Sequence, residues 1–256
     1  MEVSFAGKIV AVTGAGSGIG RVTAVKFAEA GARVIAMDLN LAEAEKTAAG
    51  AKEAGFQMEP VMVDVSDEKN IASAFAEIEK KYGGLDVLVN SAGIITFVKM
   101  DELTGDLWDK VVNINMRGCF FCSREAAKIM KKKNSGAIIN ISAGAAKTGG
   151  MNPSPSYIAS KGGINSLTFH FAVNLYKYGI RVNAICPGPI ETPMLDVQAN
   201  LPGTKGDGKA SIVASVPLGV GYPEDIAYGA MFLANEKWAR YITGEILDIN
   251  GGLIMD

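Results

Sequence analysis

Histidine is almost missing from this chain: His170 is the only one in 256 residues. A histidine-rich metal site is therefore excluded, and a Ser-His-Asp hydrolase would rest on that single imidazole. Cysteine is scarce as well. Three residues, an odd number, point to a reducing, cytoplasmic setting without structural disulfides. "CFFC" (Cys119 to Cys122) has a metal-like spacing, but no second pair completes it, so both thiols are expected in the core and no metal is expected. Excess charge is lacking: the net value of −2 leaves no basic footprint, so no nucleic-acid partner is expected. No apolar run reaches the roughly eighteen residues of a membrane helix, and no membrane association is expected. The opening "MEVSFAGKIVAVTG" lacks a basic segment followed by a long apolar one, so no signal peptide is expected.

What is present is a large apolar fraction, 48%, with 20% charged residues, enough for a substantial core. Short β-branched runs recur along the chain: "KIVAVT", "ARVIAM", "MEPVMV", "DVLVN", "GAIINIS", "IRVNAI" and "EILDIN". Several are apolar at successive positions, as strands covered on both faces must be. Helical patterns fall between them, near 19–30, 41–54, 67–82, 104–133, 156–178 and 223–235. The alternation predicts an α/β fold: a doubly wound parallel β-sheet of about seven strands flanked by helices, a Rossmann fold. Residues 1–256 read as one domain, since neither linker nor repeat divides them. Residues 188–222 break the rhythm with four prolines and many glycines, as a functional flap or mobile segment does, the alternative being a tolerated surface insertion.

"VTGAGSGIGR" (Val12 to Arg21) joins the first strand to the first helix. Gly14, Gly18 and Gly20 permit a tight turn and close backbone approach, while the helix N-terminus offers N–H groups to a pyrophosphate. Asp38 ends the second strand, where a carboxylate accepts from both ribose hydroxyls and repels a 2′-phosphate. Neither Arg21 nor Arg33 lies in the turn or just after Asp38, which favours NAD over NADP. The alternative is that Asp38 caps the helix starting near Leu41. "VDV" ends the third strand with Asp64 aimed at the adenine, and "NSAG" (Asn90 to Gly93) ends the fourth. In "SYIASKGG", Lys161 follows Tyr157 by one helical turn, and only Tyr157 among seven tyrosines has a lysine at that spacing. A nearby ammonium would lower the phenol from its ordinary value of about 10 and make it a usable base.

With these motifs in order, the chain resembles the short-chain dehydrogenase/reductase family in its compact form. The resemblance rests on T-G-x-x-x-G-x-G at Thr13 to Gly20, N-x-A-G at Asn90, Asn115 in "NINMRG", Y-x-x-x-K at Tyr157, and "PGPIET" at Pro187. It implies that Tyr157 is the acid/base, Lys161 its electrostatic aid and ribose contact, and Asn115 the support for a proton-relay water. It further implies a cofactor site of Gly14, Ser17, Gly18, Ile19, Gly20, Asp38 and Leu39, then Asp64, Val65, Asn90, Ala92 and Gly93. Tyr157, Lys161, Pro187, Gly188, Ile190 and Thr192 would complete it. By the same resemblance, residues 193–222 would form a substrate flap closing over a pocket of Ile94, Ala143, Met151, Met194 and Leu195.

One position departs from the pattern. The family usually reads N-I-S-S where this chain has "NISAG", so a gapless reading puts Ala143 at the substrate-orienting serine. Ser142 and Ala143 should face opposite ways on a strand. Either a register shift brings Ser142 to the substrate, or Thr148 or Ser154 supplies the donor, or the serine has been removed in this chain. Ser142 is taken as the fourth catalytic candidate. Ser91 replaces the second asparagine of the usual N-N-A-G, with little expected consequence. "KIMKKKNSG" (Lys128 to Gly136) suits a helix C-terminus stopped by glycine, or docking of an acidic acyl carrier. Trp108 and Trp238 fall on helical patterns and are expected to pack.

The expected activity is NAD-dependent hydride transfer between nicotinamide and a secondary alcohol or its ketone, hydrophobic or alicyclic because no charge cluster marks the pocket. The alternatives are a 3-oxoacyl thioester reductase, or a non-catalytic dinucleotide-binding regulatory protein. By the resemblance, a homotetramer through the long central helices and the C-terminal segment is expected.

Overall fold

The computed structural model describes residues 3–150, 152–200 and 208–255. Seven strands form one sheet: β1 (Ile9–Thr13), β2 (Arg33–Asp38), β3 (Met58–Met62), β4 (Val87–Asn90), β5 (Gly136–Ile141), β6 (Ile180–Pro187) and β7 (Ile246–Ile249). Their order is β3-β2-β1-β4-β5-β6-β7, with every pair parallel. The chain builds outward from β1 to β3, then returns to the other side of β1 with β4. The loops after β1 and β4 therefore part at the switch point, where open α/β sheets bind ligands.

Successive strand residues enter two cores. Val10, Val12, Val34 and Ala36 face one, with helices α1 (Gly18–Glu29) and α10 (Pro223–Ala234) packed together over it. Ala11, Ile35, Met37 and Leu88 face the other, covered by α3 (Glu68–Tyr82), α5 (Gly118–Lys133) and α7 (Pro155–Leu175). Burial on both sides explains the continuous apolar runs. Helix α2 (Leu41–Glu53) packs beside β2, β3 and α1. It starts at Asn40, whose side chain accepts from the Glu43 N–H at 3.4 Å, so Asp38 is not its cap.

The 104–133 pattern is helical throughout but not uniform. Helix α4 (Gly105–Val112), capped by Thr104, passes through a π-helical stretch at Asn113–Arg117 into α5. Asn134, left-handed at φ 51°, ends α5; Gly136 instead starts β5. Pro-rich residues 188–222 hold two short helices, α8 (Pro193–Ala199) and α9 (Gly208–Ala214). Met151 and residues 201–207, which include the start of "TKGDGK", lie outside the described residues. A short α6 (Ala145–Thr148) follows β5. The tryptophans differ from the packing expectation: both are partly exposed, and Trp238 sits in the turn after α10. Cys119 and Cys122 are buried free thiols, and burial pushes Cys119 up to about 12. Among the described residues no group of three or more His, Cys, Asp and Glu is placed to hold a metal, and no helix is long and apolar enough to cross a membrane.

Candidate active site

One cavity of about 540 Å³ runs along the C-terminal edge of the sheet. Its lining includes Gly14, Ser17, Gly18, Ile19, Gly20, Asp38, Leu39, Asp64, Val65, Ala92 and Gly93 from the first half of the chain. Ser142, Tyr157, Lys161, Pro187, Gly188, Ile190 and Thr192 line it from the second half, with Ile94, Ala143, Met194 and Leu195. Residues separated by most of the chain thus meet because parallel strands all end on one edge.

The glycine turn fits a pyrophosphate. A Cβ on Gly14 (φ 70°) would lie 2.9 Å from Ala92 Cα, and one on Gly20 would strike the Gly14 carbonyl. Ser17 sits at the N-cap of α1 in extended conformation without a side-chain cap bond, so the cap claims none of the helix's first N–H groups. The Asp38 carboxylate closes this end. Oδ2 accepts from the Gly16 N–H and Oδ1 from the Asn40 N–H, each at 2.8 Å. Asp64 lies two residues past β3 and accepts from the Ser66 N–H at 2.8 Å and the Ser66 hydroxyl at 2.7 Å. These residues suit a dinucleotide with its adenosine by Asp38 and its nicotinamide by Tyr157.

At the other end, Ser154 caps α7 and Pro155 opens it, which fixes where Tyr157 and Lys161 emerge. Both are buried side by side, with the ammonium 5.8 Å from the phenol ring centre. Lys161 Nζ donates to the Ile141 carbonyl at 2.8 Å. It lies 3.6 Å from where a Cβ on Gly93 would stand, so glycine there leaves the ammonium open to the cavity. Burial pulls Lys161 down to about 8. Burial also pushes the Tyr157 phenol above its ordinary value, opposite to the sequence-based expectation. Desolvation of the phenolate is the chief cause, and the neighbouring Cys186 adds to it.

The serine question resolves into a geometry. Ser142 Oγ donates to the Lys161 carbonyl at 3.0 Å, so its proton is committed to α7. Ala143 is the residue packed with Tyr157 and Val111, and it carries only a methyl there. Ser154 is spent on Thr96 Oγ (2.6 Å) and Ser156 Oγ (3.0 Å) and does not line the cavity. Thr148 does, as do Asn152 and Gln198, which sequence reasoning missed. All three lie in irregular or short helical segments without periodic signal.

Two predicted residues do not reach the cavity. Asn90 is buried, its Nδ2 donating to Ser123 Oγ (2.9 Å) and Asn140 Oδ1 (2.8 Å). It stands one residue before the strand turns into the site. Asn115, in the π stretch, accepts from the Ile94 N–H at 2.8 Å and donates to the Ile94 carbonyl at 2.9 Å and Ser160 Oγ at 3.1 Å. It fastens the loop after β4 to α7, so its side chain acts as a clamp. The lysines ending α5 are mostly paired: Lys128 with Glu125, Lys132 with Glu79 and Lys133 with Asp86.

The family described as Enoyl-(Acyl carrier protein) reductase matches residues 14–254. The 3-oxoacyl-[acyl-carrier-protein] reductase FabG of Thermotoga maritima is 36% identical, over 97% of this chain and 98% of that one. The cis-4-hydroxycyclohexanecarboxylate dehydrogenase of Sinomonas cyclohexanicum is 38% identical, over 98% of each chain. The crystal structure of gox2181 superposes with a TM-score of 0.93 at 30% identity, covering 98% of this chain and 97% of that one.

Proposed function

Because this chain belongs to the short-chain dehydrogenase/reductase family, we propose that it is an NAD-dependent oxidoreductase interconverting a hydrophobic or alicyclic secondary alcohol and its ketone. The observation that carries this reading is the single cavity with Tyr157 and Lys161 at one end and Asp38 at the other. Bound there, nicotinamide supplies the hydride acceptor at C4 and, when oxidised, a positive charge beside the phenol. Tyr157 takes the carbinol proton during oxidation and returns it during reduction. Lys161 steadies the phenolate, and its own depressed value keeps its ammonium best filled below about pH 8. Asp38 accepts from the ribose hydroxyls, and its charge disfavours a 2′-phosphate. Asn115 holds the Ile94 segment against α7 and so supports the proton relay by position.

Among the described residues, the lining around Ile94, Ala143, Met194 and Leu195 carries no charged side chain besides Lys161, which suits an uncharged ring or chain. The relative from Sinomonas, named for an alicyclic alcohol that also bears a carboxylate, supports the alicyclic part of this reading. The FabG relative supports the second reading, a 3-oxoacyl thioester reductase. That reading needs 2′-phosphate tolerance at Asp38 and a free basic face on α5, where most lysines are paired. A cytoplasmic homotetramer completes the proposal, supported by three free thiols and by apolar residues exposed on α7 and α10.

The test is a screen of cyclic and linear secondary alcohols with NAD⁺ and NADP⁺, followed by the ultraviolet absorbance of the reduced cofactor. It uses the wild type and Ala143→Ser. NAD⁺-linked oxidation of a cyclic alcohol is the expected result. Reduction of 3-oxoacyl thioesters with NADPH alone would establish the second reading. NAD⁺ binding without turnover in either protein would mark a regulatory dinucleotide-binding protein.

A further inference from the structure

Behind the glycine turn, outside the cavity lining but joined to Asp38 through Gly16, lies a second charge arrangement. Glu43, in the first turn of α2, flanks the same glycine as Asp38. A Cβ on Gly16 would lie 2.8 Å from Asp38 Oδ2 and 3.0 Å from Glu43 Cβ. The Glu43 carboxylate engages two cations at once. Oε2 accepts from Arg21 Nη2 at 2.7 Å, and Oε1 accepts from Lys46 Nζ at 2.5 Å. Arg21 Nη2 also donates to the Gly16 carbonyl. Its Nε is buried without an acceptor, so Glu43 and that carbonyl, rather than full use of its donors, set the guanidinium's seat.

We propose that Glu43 is a second determinant of cofactor choice: it neutralises Arg21, the guanidinium held against the glycine turn next to Asp38, and so denies it to a 2′-phosphate. This rests on the NAD reading above. Arg21 gives the argument its force. A guanidinium against the glycine turn is a natural phosphate partner, yet here it lies against a carboxylate. Two carboxylates and two cations leave the corner near neutrality. Removing Asp38 alone lifts one repulsion but leaves both cations engaged. Removing the charge of Glu43 as well leaves Arg21 unbalanced behind the glycine turn, one residue's backbone from the Asp38 corner.

The experiment is calorimetric titration of NADP⁺ and NAD⁺, without alcohol, into wild type, Asp38→Ser, Asp38→Ser/Glu43→Gln, Asp38→Ser/Glu43→Asp and Asp38→Ser/Glu43→Gln/Arg21→Ala. The Glu43→Gln double variant should bind NADP⁺ about tenfold tighter than Asp38→Ser, a gain that shrinks at high salt. Glu43→Asp keeps the charge and should stay with Asp38→Ser, while the triple variant should lose the gain. Thermal melting and far-ultraviolet circular dichroism confirm that each variant is folded. Equal NADP⁺ affinity in Asp38→Ser and its Glu43→Gln derivative, with both folded, overturns the role of Glu43. Tighter binding of NADP⁺ than NAD⁺ by the wild type overturns the underlying NAD reading, and is recognised before any substitution is compared.

Discussion

Ala143 leaves the phenol of Tyr157 without a hydroxyl neighbour at the end of β5, and this has a measurable consequence. A serine there would put a donor beside the substrate oxygen, and one oriented donor is worth on the order of a hundredfold in rate. Ala143→Ser should therefore raise kcat by up to about that factor, read in steady-state kinetics on the alcohol found by screening. An unchanged or lower kcat would mean that another group, such as Thr148, already fills the role. Lys161 makes a prediction about stability. Burial lowers its value from 10.5 to about 8, so the native state disfavours its charged form. Between those values the unfolded chain binds more protons, and this residue's contribution to stability rises with pH across that window. Lys161→Met should thus abolish most turnover yet melt higher at pH 7, by about 1 kcal/mol or roughly 2–4 °C. That advantage should fade by pH 10. A pH-independent difference between the two melting curves would show that the ammonium is not destabilising. Tyr157 and Lys161 were legible because helical spacing alone places them together. The direction of the Ser142 hydroxyl was not. Strand alternation says that Ser142 and Ala143 part company, but only the packing of α7 against Ile141 decides which one meets the phenol.

Strands and long helices were readable from apolar runs and periodicity because burial on both sheet faces leaves that pattern in the chain. The π stretch at Asn113–Arg117 was not readable, since a few wider turns barely disturb a helical period. Its effect is local and structural: it carries Asn115 to the Ile94 backbone. Likewise α8 and α9 hide among prolines and glycines whose composition signals a loop. Gly118, where the π stretch becomes α5, tests this junction. A Cβ there would stand 2.7 Å from the Val65 carbonyl and 3.0 Å from Val65 Cβ. Val65 lines the cavity, so the clash is transmitted to the cofactor end. Gly118→Ala should destabilise by about 1–3 kcal/mol, as overpacked sites do, and weaken NAD⁺ binding. Urea unfolding and cofactor titration measure the two effects. A variant with wild-type stability would mean that α5 shifts away from Val65 freely.

At the scale of the molecule, the outward side of α7 is the least explained surface of a lone chain. Phe169, Val173 and Tyr176 are 50%, 69% and 66% exposed and recur at helical spacing, forming one apolar stripe. Tyr228 and Phe232 make a second pair on α10, across the sheet from α7. Monomers rarely leave such stripes open. Homo-oligomers cover them with two-fold contacts in which the same patch meets itself. Two separate patches on opposite layers require two different two-fold axes, which generate a tetramer. The proposed assembly therefore predicts stepwise behaviour. Wild type should sediment as a tetramer at micromolar concentration. Val173→Glu places like charges against each other across one axis only and should yield dimers that keep the α10 contact. Adding Phe232→Glu should release monomers. Light scattering on the eluting species distinguishes the three sizes. A monomeric wild type, or a Val173→Glu protein that remains tetrameric, would remove α7 from the interface and leave its stripe to another partner.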